Sequence, residues 1–118
     1  LPTAHDHKNQ FERNKSSISA VGTLQDPPND WIITMAFYAA VHLIEGVLVE
    51  KLEKGSGDHK TRRRLMGSVS QLRPIGPKYA TLEDYSHKSR YKCKTFQEDD
   101  VTKILGFLND IEQHLKTS

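Results

Sequence analysis

DWIITMAFYAAVHLIEGVLVEKLEK, residues 30–54, has the length and apolar content of a central helix. Its centre, Trp31–Val49, holds no proline and a single glycine, and Asn29 or Asp30 stands where a helix N-cap is expected. Apolar residues fall on nearly every side, the pattern of a helix surrounded by other helices. One line along it is polar. Thr34, Tyr38, His42 and Glu45 follow at spacings of four, four and three, so they share one face. A polar stripe on the most buried helix needs partners, because an unpaired polar group away from water is expensive.

The 19-residue apolar run approaches transmembrane length. His42 and Glu45 inside it, with Thr34 nearby, argue for a soluble core helix and no membrane partner. No signal peptide is visible, and one cysteine, Cys93, rules out an internal disulfide framework and fits a reducing, cytoplasmic setting. At 118 residues the chain reads as one domain, 1–118, able to bury a core without staples. The formal charge of +2 does not announce a nucleic-acid binder, but it is uneven. Lys60–Arg64 (KTRRR) and Lys88–Lys94 (KSRYKCK) are basic, and Glu98–Asp100 (EDD) is acidic.

Outward from the central helix, residues 4–21 keep His7, Phe11, Asn14, Ile18 and Val21 on one face, and Asp26-Pro27-Pro28 stops that helix. Gly55-Ser56-Gly57 ends the central helix, and Asp58 or Ser56 can cap the next, which spans 58–72 with Leu65, Met66, Val69 and Leu72 on one face. Pro77 suits the first position of a fourth helix that carries Tyr79, Leu82, Ser86 and Arg90 and runs to about Cys93. Thr95-Phe96-Gln97-Glu98 matches a capping box, and Val101, Ile104, Leu105, Leu108, Ile111 and Leu115 form the cleanest amphipathic stripe. No alternating pattern supports a sheet. The expected fold is all-α: an up-and-down antiparallel helical bundle of four long helices plus one shorter helix.

Four of these helices aim polar groups inward: His7 and Asn14; Tyr38, His42 and Glu45; His59 and Arg62; Ser86 and Arg90. The fifth contributes nothing polar beyond its cap. The bland reading is a satisfied core, with Glu45 paired to Arg62 or Arg90, the two guanidinium groups that helical spacing turns inward. The sharper reading is a cleft, since perturbed polar clusters concentrate at functional sites. No metal-ligand spacing is present: His5 and His7 diverge on a helix, no paired histidines stand four apart, and no cofactor is expected. Cys93 lies among lysines with nothing else to mark it as activated. Arg63, Arg64, Lys88, Lys92 and Lys94 fall off the inward stripes; interleaved with Tyr91, the two runs could form one phosphate-binding surface.

Residues 30–45 with their Phe37-Tyr38-Ala39-Ala40-Val41-His42 core, then His59-Lys60-Thr61-Arg62, Tyr79–Leu82 and Ser86–Tyr91 (SHKSRY), resemble the HEPN superfamily over roughly residues 5–115. The likeness is to its small stand-alone members and to the HEPN partners of minimal nucleotidyltransferases. The resemblance implies a helical bundle, often a homodimer, linked to RNA binding or metal-independent RNA cleavage in toxin–antitoxin or defence settings. The ribonuclease members carry an Arg followed four to six residues later by a His, and no Arg of this chain has one. Cleavage would then need His42 and His59 as the catalytic pair. The ligand would be held by Tyr38, Glu45, Arg62, Ser86, Arg90 and Tyr91, with RNA or a nucleotide as the partner. The competing expectation is a non-catalytic helical interaction or dimerisation module.

Overall fold

The computed structural model describes residues 1–117, and among these every regular element is helical. The order is α1 (Ala4–Gly22), α2 (Asn29–Leu52), α3 (His59–Ser68), a 3₁₀ turn (Arg73–Ile75), α4 (Gly76–Tyr91) and α5 (Glu98–Thr117). The extents, 42 × 26 × 25 Å, fit a bundle whose long axis is set by the 24-residue α2, about 36 Å at 1.5 Å per residue.

α2 is the hub. It buries eleven residues, among them Ile33, Ala36, Phe37, Ala40, Ile44 and Leu48, and α1, α3, α4 and α5 all pack against it. Its most apolar window is long and apolar enough to cross a bilayer, yet 61% of that window is buried inside the bundle. The apolar run is thus consumed by other helices. α1 contributes Phe11 and Ile18, α4 Tyr79 and Leu82, and α5 Ile104, Leu108 and Ile111. The C-terminal part of α4 lies beside the start of α2: Ser89 Oγ donates to the Asp30 carbonyl at 2.9 Å and sits 3.3 Å from the Thr34 hydroxyl.

Several ends differ from the sequence expectation. α1 opens on an unforeseen capping box, Thr3 accepting from the Asp6 amide while Asp6 accepts from Thr3. Neither Asn29 nor Asp30 caps α2; Pro28 precedes it, and the Asn29 side chain donates instead to the Phe96 carbonyl at 3.0 Å. α2 also stops earlier, at Leu52, with Glu53 left-handed at φ 61.

α3 ends at Ser68, four residues short of the expected 72. The Ser68 hydroxyl bonds back to Leu65 O, Val69 turns extended, and the 3₁₀ turn returns Leu72 and Ile75 to the core. That turn runs directly into α4, so Pro77 is its second residue rather than its first, and α4 ends at Tyr91 rather than near Cys93.

The cap of α5 shifts by two positions. Phe96 is buried and stacked on Tyr85, and the reaching carboxylate is Asp100, which accepts from the Gln97 amide at 2.9 Å. α5 also carries a buried acid after all: Glu112 is held by Lys15 at 3.0 Å and Lys116 at 3.1 Å.

Ile44 has no solvent exposure and Trp31 is 62% exposed. Ile44→Ala should therefore lower unfolding free energy by about 2–5 kcal/mol in urea titrations. Trp31→Ala should stay within about 0.5 kcal/mol. Equal losses would contradict this assignment of the inner and outer faces of α2.

Candidate functional site

The polar stripe of α2 divides into three settings as it passes along the bundle. At its C-terminal end, Glu45 is buried at 6% exposure and Arg62 of α3 at 7%. Arg62 Nε donates to Glu45 Oε1 at 2.8 Å. The remaining lone pairs are served by Ser56, whose backbone N–H donates to Glu45 Oε2 at 3.1 Å and whose hydroxyl donates to Oε1. Asp58 caps α3 through the Thr61 amide, so Ser56 is free for this inward role. A Cβ added at Gly55 would come within 3.0 Å of Glu45 Oε2, so the loop backbone must pass this close.

Burial pushes the Glu45 carboxyl up, but the Ser56 hydroxyl, Arg62 and the Ser56 N–H outweigh it and hold the acid below its ordinary range. Arg62 Nη1 continues to the Tyr79 hydroxyl at 3.3 Å and to His59 Nδ1 at 2.7 Å. The expected Glu45–arginine contact therefore exists with Arg62. Arg90 takes no part in it.

At the outer edge, the buried Phe37 ring is surrounded by Tyr38 (5.5 Å), His59 (5.5 Å), Tyr79 (5.8 Å) and the Arg90 guanidinium (6.0 Å). Arg90 lies 4.9 Å from the Tyr91 ring and 5.5 Å from the Tyr38 ring, and its Nη1 donates to both hydroxyls, at 3.4 and 3.0 Å. Its Nε donates to the Ser86 carbonyl at 3.3 Å, which fixes the side chain along α4. Tyr91 is 64% and Tyr38 37% exposed, and the His59 side chain 45%. Burial and the Arg62 charge lower the His59 pKa.

Because a guanidinium has only donors, His59 Nδ1 must be the acceptor in their contact. A neutral His59 therefore keeps its proton on Nε2 and acts as a donor there. Glu83, the carboxylate beside it at 3.8 Å, is engaged by Arg63 at 2.6 Å.

In the third setting, His42 meets not an arginine but His7 of α1, Nδ1 to Nδ1 at 2.9 Å. Burial first, then the neighbouring His7, lowers the His42 pKa.

These contacts separate the residues that spacing had grouped. Glu45 and Arg62 are sealed together, and Ser86 is fully buried, its hydroxyl without a hydrogen-bond partner among the described residues. Tyr38, His59, Arg90 and Tyr91 form the accessible cluster. His42 and His59 are bound to different partners, His7 and Arg62. Among the described residues no three His, Cys, Asp or Glu side chains gather as a metal site; His5 is exposed while His7 turns inward. Sequence reasoning missed Ser56, Phe37 as the centre of the cluster and the His7–His42 contact. Only the shared inward face of His7 pointed toward the last. No protein-family model, no characterised protein and no solved structure matches this chain.

Glu45→Ala orphans the buried guanidinium and should destabilise the protein by about 3–5 kcal/mol at neutral pH. The depressed pKa means that the stability Glu45 lends is present above about pH 4.3 and disappears as pH falls through its folded value. The gap between parent and variant should narrow in acid. A constant gap in denaturant titrations at pH 7 and pH 3 would refute the linkage.

Proposed function

We propose that this chain is a HEPN-like domain, its helices running up and down, that binds RNA or a nucleotide. A phosphate of the ligand would lie against Tyr38, His59, Arg90 and Tyr91. The observation that carries the reading is the composition of the open cluster. Arg90 is held between two tyrosines whose hydroxyls accept from it, which leaves both O–H groups free to donate outward. His59 adds an Nε2–H, and the adjacent Glu83 is already neutralised by Arg63. Such a set of donors suits an anion, and the exposed faces of Tyr91 and Trp31 suit an unstacked base. Lys92 and Lys94, exposed just beyond the end of α4, add positive charge to this end of the molecule, while Lys88 is paired with Asp84 at 3.0 Å.

The chemistry favours binding over cleavage. With Nδ1 occupied by Arg62, neutral His59 has no free basic nitrogen, and His42 is committed to His7. The second reading, a non-catalytic interaction module, draws support from the sealed Glu45–Arg62 pair, which serves helix register without needing a ligand.

Titration of a fluorescein-labelled single-stranded RNA separates the two. Loss of one charge-assisted contact in Arg90→Ala should weaken binding about 10–100-fold and reduce the salt slope by roughly one. Tyr91→Ala should also weaken it, and His42→Leu should not. If the parent shows no salt-dependent affinity, or Arg90→Ala binds as the parent does, the interaction module is the better reading.

A further inference from the structure

α1 is held chiefly by α2. Of its nineteen residues only His7, Phe11 and Ile18 are buried. One of its three buried anchors is therefore an imidazole. The two Nδ1 atoms of His7 and His42 are 2.9 Å apart while the ring centroids are 5.2 Å apart, so both nitrogens lie near the line joining the rings. That is a head-on hydrogen bond with one proton between the rings. Two ligands of a common metal ion would instead converge on it at an angle. The backbone is close here too: a Cβ added at Gly46 would sit 3.6 Å from the His7 Cβ.

We propose that His7 and His42 form an acid-sensitive latch that holds the N-terminal half of α1 on α2 and releases it when a second proton enters the pair. The first proton can settle on the outer nitrogen of the donor ring and leaves the bridging hydrogen bond intact, now charge-assisted. The second would set N–H against N–H and two like charges side by side in a half-buried place, so it cannot enter while the bridge is closed.

The surroundings offer little to offset that charge. Glu45 is taken by Arg62 and Ser56, and Asp6 by the Thr3 cap. On α5, Glu112 is taken by Lys15 and Lys116. Glu12 lies 4.0 Å from Lys15, and exposed Glu50 on α2 also lines the cleft. Arg62 and Arg13 both oppose further protonation of His42, against the opposing pull of the Glu45 carboxylate, and Lys8 and His5 line the same cleft. Release would uncover Phe11 and the Leu43 and Val47 floor of a cleft of about 470 Å³ between α1, α2 and α5.

Amide hydrogen exchange on the whole chain tests this, at pH 7.5 and pH 5.0 after correction for the intrinsic pH dependence of exchange. A proton bound in the open form and excluded from the closed one should cut protection in residues 4–14 by up to about thirtyfold, while α5 amides keep theirs. His7→Asn, which can still bond His42 but cannot take the second proton, should show the same α1 protection at both pH values. If that variant loosens α1 throughout, His42→Gln supplies the comparison. Unchanged α1 protection in the parent, loss shared equally by α1 and α5, or variants that respond to acid as the parent does would each overturn the latch.

Discussion

Glu45 has to remain an anion inside a helical bundle, and much of the arrangement around it answers that requirement. A buried carboxylate is tolerated only when a cation and further donors surround it. Arg62 supplies the cation from α3, and Ser56 supplies two donors from the loop that leads into α3. The same guanidinium reaches Tyr79 on α4 and His59 one turn earlier on its own helix. One ion pair thus fixes the loop, the short α3 and the start of α4 relative to α2. Apolar packing alone would leave the register of these elements less defined.

Satisfying Glu45 also decides what is left for a ligand. Once Arg62 is spent inward, the free guanidinium of the region is Arg90, and its setting differs in kind. It rests on aromatic faces and donates to tyrosine hydroxyls, so its charge is neither cancelled by a carboxylate nor removed from water. His59 stands between the two settings. Its Nδ1 is tied to the sealed network while the rest of the ring is partly exposed, which makes it a donor of fixed tautomer. A buried ion pair and an open donor cluster are therefore joined through one imidazole and the Phe37 ring.

A second buried acid follows the same rule with a weaker solution. Glu112 meets two lysines, both partly exposed, and Lys15 reaches it from α1 across the gap to α5. Flexible ammonium groups at a surface hold less firmly than a sealed guanidinium fork. The buried side chains of α1 are three, one of them His7.

The sequence by itself determined the all-helical class, the central position of α2 and the inward direction of Glu45, His7, Arg62 and Ser86, because apolar period and helical pitch fix which face a residue occupies. It also marked Glu45 as needing an arginine partner, Arg62 or Arg90, since charge and burial leave a buried acid few options. Helix ends were less legible. Val69 leaves the helix to fill the core, and Phe96 packs on Tyr85 and draws the start of α5 two residues along; both are tertiary choices that override local signals. Which polar residues meet was decided by the tertiary structure alone. Spacing places Arg62 and Arg90 on equivalent inward stripes, but only the packing of α3 and α4 against α2 sends one to Glu45 and the other outward between Tyr38 and Tyr91. The partner of His42 lies 35 residues away on another helix, a relation that no periodicity within a single helix encodes.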